Sequence, residues 1–242
     1  QYVCPSSPET ISTSPGLEPR ASSSPVMAGA LIAAYHTLVA ETLSGSASPD
    51  PLVSAIMCSF HRPHVLARAI ESVLAQTLHD FELIVVDDGS LDGTPDIVRS
   101  FEDPRIRLVV NAKNLGLPAS RNEGITRARG EFLAFLDDDD LWMPHKLERQ
   151  VSALGDHPEF DAAWSYSTRE HLDGTFSDRK IDLHGNVHRK FQLDEIMMMQ
   201  PLLLRRSAIA KVGLFDPVLT ALDDYEFSLR VSRHCRFLTV PE

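Results

Sequence analysis

The sequence predicts an α/β fold built on a mostly parallel sheet with helices on both faces. Three observations carry this. Short apolar, β-rich runs recur at 52–58, 83–86, 106–110 and 131–136. Stretches with helical spacing separate them. The runs also lack clean apolar/polar alternation, as expected of strands buried on both faces. In such a sheet, ligands gather at the carboxyl ends of the strands.

The elements follow in order. Residues 1–25 hold seven Ser and five Pro and read as a flexible lead. Residues 26–50 read as a helix and linker: 26–44 are Ala/Leu-rich, Gly45 offers a stop, and Ser46 to Pro51 links onward. That helix either docks on the main domain or meets a partner or membrane surface. Leu52 to Cys58 is the first strand. Val65, Leu66, Ala69, Ile70, Val73 and Leu74 then recur at helical spacing. Leu83 to Val86 is the second strand, ending at Asp87-Asp88-Gly89-Ser90. Thr94-Pro95 reads as an N-cap with Pro at the first helical position, opening a helix that fades near Phe101. Ile106 to Val110 is the third strand, and Leu117 to Arg129 a helix stopped by Gly130. Glu131 to Leu136 is the fourth strand, and Pro144 starts the next helix. Beyond about residue 155 the pattern weakens. Ala162 to Tyr166 reads as a strand, Leu172-Asp173-Gly174-Thr175 as a hairpin turn, and Met197-Met198-Met199 as core or pocket wall. Gly213 to Pro217 reads as a turn, followed by a helix headed by Asp223-Asp224.

Three polar clusters sit at the predicted strand ends: Ser59-Phe60-His61-Arg62, Asp87-Asp88 and Asp137 to Asp140. Four consecutive aspartates closing a buried strand repel one another strongly. The arrangement makes sense if a cation, or a cation carrying a phosphorylated ligand, neutralises them. Mg²⁺ and Mn²⁺ suit such hard oxygen donors and commonly bridge to phosphates.

Composition narrows the options. The 242 residues are 43% hydrophobic, enough for one large core or two small ones. With 23 basic against 34 acidic residues the formal charge is −11, which argues against broad nucleic-acid binding. Three scattered cysteines (Cys4, Cys58, Cys235) speak against a disulfide framework or zinc site and suit a reducing, cytoplasmic compartment. No stretch reaches the roughly 18 apolar residues that span a bilayer. No two of the twelve glycines lie two residues apart, so GxGxxG is absent, and GxxxxGK[ST] is absent too. A calcium loop begun at Asp88 fails because Arg99 stands where a bidentate Glu is needed. The chain also has no H-E-x-x-H helix and no G-x-S-x-G elbow.

From Pro51 to about Gln150 the chain closely resembles family 2 glycosyltransferases, which have the GT-A, Rossmann-like fold. The resemblance rests on Val53-Ser54-Ala55-Ile56, Ala69 to Thr77, Val86 to Thr94, Asn114 to Asn122 and Gly130 to Asp140, in that order. A weaker match continues through Gly213 to Asp216 and Asp223-Asp224-Tyr225. It implies a metal-dependent, inverting transfer of a sugar from a nucleotide-diphosphate donor, most often a UDP-sugar, to an acceptor hydroxyl. The acceptor would be a carbohydrate or a lipid-linked one, in polysaccharide or glycolipid synthesis. Residues 51–155 would bind the nucleotide sugar, and 156–242 would form a smaller acceptor and catalytic half.

The resemblance also implies roles. Phe60 would stack on the base and Asp88 would hydrogen-bond it. Arg121 is a candidate for the diphosphate. Asp137 and Asp138 would meet the ribose, while Asp139, with Asp137, would hold Mn²⁺ or Mg²⁺. Asp140 is expected as a helix-proximal or neighbouring acid. Asp224 would be the base, with Asp223 replacing the usual Glu before it, and His61 stands where relatives usually carry Asn. The chain starts with Gln, and it ends at Val240-Pro241-Glu242, where relatives usually continue. It therefore reads as an excised, C-terminally truncated piece. Two rival readings stay open: a nucleotidyltransferase, and a nucleotide-sugar-binding module without activity.

Overall fold

A computed structural model of the protein describes residues 50–171, 173–194 and 199–241. The predicted lead, helix and linker over 1–49, Cys4, and Met197-Met198 lie outside them.

Ten strands run in chain order as β1 (Val53–Ser59), β2 (Phe81–Asp87), β3 (Ile106–Val110), β4 (Phe132–Asp137), β5 (Ala162–Ser165), β6 (Ser167–Glu170), β7 (Phe176–Arg179), β8 (His184–Gly185), β9 (Leu202–Arg205) and β10 (Phe237–Val240). Seven α-helices intersperse them: α1 (Pro63–Leu74), α2 (Thr94–Arg99), α3 (Leu117–Arg127), α4 (Lys146–Asp156), α5 (His188–Asp194), α6 (Ile209–Val212) and α7 (Asp223–His234). Eight strands form one sheet in the order β3-β2-β1-β4-β9-β5-β10-β8, and β6 pairs with β7 in a separate hairpin whose turn holds Asp173 and Gly174.

The predicted parallel sheet is present, with β3, β2, β1 and β4 all parallel and β10 parallel to β5. Two members, β9 and β8, run antiparallel to their neighbours. The connection through α4 keeps β5 parallel to β4 but leaves a one-strand gap between them. β9 fills that gap, pairing antiparallel with both β4 and β5.

Side-chain alternation builds a core on each face. Met57, Val85 and Leu136 pack with Leu66, Ile70 and Val73 of α1 and Leu147 and Leu154 of α4. On the other face Ile56, Val86 and Phe135 pack with Ile125 of α3 and Phe227 and Val231 of α7. Each fully buried large side chain of this kind contributes roughly 1.5–3 kcal/mol. α1 illustrates the local rule: Pro63 opens it, and buried Leu66, Ala69, Ile70 and Val73 fall on one stripe.

Three sequence expectations shift. Thr94 is the first helical residue of α2 and not its cap; Asp92 accepts from its amide at 3.0 Å and from its hydroxyl. Pro144 precedes α4 in a turn, and the helix opens at Lys146, whose amide donates to the Met143 carbonyl at 3.1 Å. Gly130 does not stop α3, which ends at Arg127 with Ala128 already extended. Gly130 is required instead by close approach: an added Cβ would lie 2.5 Å from the Ser54 nitrogen, and its own amide donates to Ser54 Oγ at 2.9 Å. Beside it, buried Glu82 accepts from Ser54 Oγ at 2.7 Å and from Arg107 at 2.6 Å. This polar knot pins the amino ends of the central strands and leaves their carboxyl ends to converge. Among the described residues, no helix is long and apolar enough to cross a membrane.

Candidate functional site

The carboxyl ends of β1, β2 and β4 stand side by side, with Ser59 opposite Asp87 and Cys58 opposite Asp137. Above them lies a cavity of about 410 Å³, lined by Phe60 and Arg62 of the β1–α1 loop, by Asp88, by Asn114, Gly116 and Leu117, and by Asp137, Asp138 and Asp139. Phe60 is 41% exposed, so an aromatic face is open to a planar ligand. Cys58 also lines the cavity, but burial pushes its thiol up to about 12, which leaves it inert.

Strand alternation splits the aspartates. Asp137 points to the α3 and α7 face, accepting from Arg121 Nη2 at 3.0 Å and closely from Gln200 Nε2. Asp138 points to the α1 face and is buried, accepting from Ser59 Oγ at 2.6 Å and from Arg62 Nη1 at 3.3 Å. The same Arg62 nitrogen donates to the half-exposed Asp139 at 2.6 Å. Burial holds the Asp138 carboxyl above the usual range against the pull of Ser59 and Arg62. Desolvation, and then repulsion from Asp137 and Asp139, push Asp140 up to about 6. Because Asp140 stands at the surface, the repulsion is the cause that counts.

Asp88 is buried and already engaged. It accepts from Asn111 Nδ2 and from the amides of Leu115 and Gly116, each at 2.9 Å. It thereby shapes the 111–116 loop at the mouth of α3. Gly89 makes the approach feasible: at φ +78° an added Cβ would meet the Lys113 backbone at 2.6 Å.

Arg121, the candidate for the diphosphate, is buried between two acids, Asp137 and Asp223, with Nη1 2.7 Å from Asp223. Its guanidinium lies 5.3 Å over Phe215. Next to it, Asn122 donates to the Phe215 carbonyl and accepts from the Phe215 amide, both at 2.9 Å. Arg121 and Asn122 therefore join α3 to the start of α7, where Leu222 adopts φ +60° and Asp223 and Asp224 occupy the first turn. Asp224 is half-buried. Burial, followed by the charge of Asp223, raises its carboxyl above the usual range, although the Tyr225 amide opposes this.

Among the described residues, no three His, Cys, Asp or Glu side chains gather as a metal cluster. The donor chemistry still fits a divalent ion, because Mg²⁺ commonly binds through one or two carboxylates plus ligand phosphates. The guanidinium of Arg62 on Asp138 and Asp139 is itself a cation standing where the crowded charges demand one.

Sequence reasoning placed Phe60, Asp88, Asp137, Asp138 and Asp139 together, and all five line the cavity. It assigned no role to Arg62, which only its place in the strand-end cluster could have flagged. It missed Gln200, which lies 63 positions from its partner Asp137 with no local pattern to mark it.

A family model described as "Glycosyl transferase family 2" matches residues 54–213. Over 105 residues the chain is 45% identical to the Escherichia coli UDP-Glc:alpha-D-GlcNAc-diphosphoundecaprenol beta-1,3-glucosyltransferase WfgD, covering 43% of this chain and 42% of that protein. For the first curated relatives, the match spans 41–64% of their own length. Among solved structures, S. aureus TarS with UDP-GlcNAc matches at TM-score 0.66 and 19% identity, over 78% of this chain and 55% of that one. The mannosyltransferase PcManGT from Pyrobaculum calidifontis, in complex with GDP-Man and Mn²⁺, matches at TM-score 0.61 and 21% identity, over 90% and 66%. These likenesses show a shared fold.

Proposed function

Because the chain belongs to glycosyl transferase family 2, we propose that it transfers a sugar from a nucleotide-diphosphate donor to an acceptor hydroxyl with inversion. The donor is a UDP-sugar, and the acceptor is a carbohydrate or lipid-linked chain in polysaccharide or glycolipid synthesis. One observation carries this reading. An open aromatic face, tandem aspartates and a helix presenting an acid of raised pKa converge at the strand ends. The E. coli relative, whose name specifies UDP-Glc and a diphospholipid acceptor, supports the choice of donor and acceptor class.

The residues divide the work. Phe60 offers its face to the base, and the loop held by Asp88 closes the base's edge. Asp137 and Asp138 would meet the ribose. Asp139, with Asp137, would hold Mn²⁺ or Mg²⁺, which when bound offsets charge on the departing diphosphate. Asp224 takes the proton of the acceptor hydroxyl, for which its raised pKa is an advantage. Inversion follows from a single displacement with that base on the face opposite the leaving group. In this division residues 51–155 serve the nucleotide sugar and 156–242 the acceptor and base.

Calorimetric titration of UDP with and without Mn²⁺ tests the donor site: tighter binding with Mn²⁺ is expected, and its absence would sink the reading. Asp224→Asn should leave UDP affinity within about twofold while abolishing transfer. Transfer that survives this change would remove Asp224 as the base, whereas UDP binding by a wild type that transfers nothing would reopen the alternative of a binding module.

A further inference from the structure

We propose that Arg62 is an exchangeable internal cation. It neutralises Asp138 and Asp139 when no divalent ion is bound, and it passes to the donor's diphosphate when one is. The inference rests on the functional reading above and adds a residue to it.

Three features of the structure support the exchange. A single nitrogen, Arg62 Nη1, contacts both acids, at 3.3 Å and 2.6 Å. It therefore covers the oxygens that a cation would need. Its tie to Asp139 is weak enough to break, because the two side chains are 49% and 51% exposed, and solvent screens an exposed pair of this kind. Asp138 keeps a second partner in Ser59 Oγ, so it is not orphaned when the guanidinium leaves.

The direction of release is set by the loop. His61 adopts φ +55°, its amide donates to Ser90 Oγ at 2.9 Å, and its ring pairs with Asp92 at 3.2 Å. The backbone at Arg62 is thus tethered beside the cavity that its side chain lines. A guanidinium freed there, on three rotatable methylenes, meets whatever anion the cavity holds. A diphosphate presents oxygens that the planar fork engages well. A divalent ion on Asp139 and a guanidinium on the same carboxylate oxygen exclude each other, so the two steps are coupled.

Arg62→Met therefore has effects of opposite sign on two ligands. With Mn²⁺ alone, followed by electron paramagnetic resonance of the free ion, the variant should bind about two- to fivefold more tightly, since the competing pair is gone. With UDP in saturating Mn²⁺, followed calorimetrically, it should bind about fivefold or more weakly, while affinity for uridine, which lacks phosphate, stays unchanged. Arg169 of β6 acts electrostatically on Asp140 but forms no ion pair with Asp138 or Asp139, so Arg169→Ala should leave Mn²⁺ affinity close to wild type. Arg62→Lys keeps the charge and should shift both constants in the same directions by less. It serves as the second variant if Arg62→Met fails to fold.

Unchanged or weaker Mn²⁺ binding by Arg62→Met would overturn the inference, as would unchanged UDP binding. An equal gain in Arg169→Ala would overturn it too, by reducing the effect to general charge. A wild-type protein whose UDP affinity ignores Mn²⁺ would sink the functional reading itself, and this inference with it. A wild type that responds to Mn²⁺ and a variant identical to it would sink the inference alone.

Discussion

Burial improves a carboxylate as a base and, by the same physics, makes it a poorer structural residue. Asp224 sits half-buried beside Asp223, and its folded pKa lies above the ordinary 3.8. The folded chain therefore holds that proton more readily than the unfolded one. Its penalty is absent below 3.8, where both states are protonated, and complete above the raised folded value. Asp224→Asn should thus melt at a higher temperature than wild type at pH 7, with the gap closing as the pH falls toward 3.8. Thermal unfolding across that range checks it, and a lower melting temperature for the variant at pH 7 would refute it. Catalytic rate should move the other way, falling as the pH drops through the same window because the base becomes protonated. The acids of the site were legible in the sequence because they sit in short, dense clusters. Their partners were not. Arg121 and Asp223 lie 102 positions apart, and only folding brings them into contact.

The junction between α3 and α7 concentrates more polar contacts than its length suggests. Arg121→Met would leave Asp223 buried beside no counter-charge, a loss of about 3 kcal/mol or more. Asn122→Ala would break both hydrogen bonds to the Phe215 backbone, costing about 1–3 kcal/mol. The double variant should cost less than the sum, because both residues hold one loop. Urea unfolding measures all three, and a loss under about 1 kcal/mol for Arg121→Met would show the junction to be dispensable. At this scale the sequence was clear where strands are buried on both faces, as in β1, β2 and β4. It was unclear for β9 and β10, which have four residues each and are too short for any period to declare itself. The antiparallel sense of β9 shows only in its pairing with the distant β4 and β5, which no local pattern encodes.

The sheet runs without interruption from β3 to β8, so the strands before and after α4 share one core on each face. The described residues fall in one compact unit. A single cooperative transition is therefore expected for this body, with matching midpoints by tryptophan fluorescence and circular dichroism. Two separated midpoints would mean that the β4–β9 pairing is not a true seam. Mn²⁺ and UDP together should raise the melting temperature, by the equivalent of about 2.7 kcal/mol at a hundredfold excess over the dissociation constant. Chelation should reverse the shift, and either ligand alone should give less.

Repetition at the end of β4 has an evolutionary consequence. The strand's register is locked by its apolar residues, so a codon lost from the four aspartates is absorbed by the following loop. Positions 137, 138 and 139 would still read as aspartate, and every residue from Leu141 onward would move up by one. The loop after β4 can therefore shorten by one residue while the three acids that line the cavity stay in place.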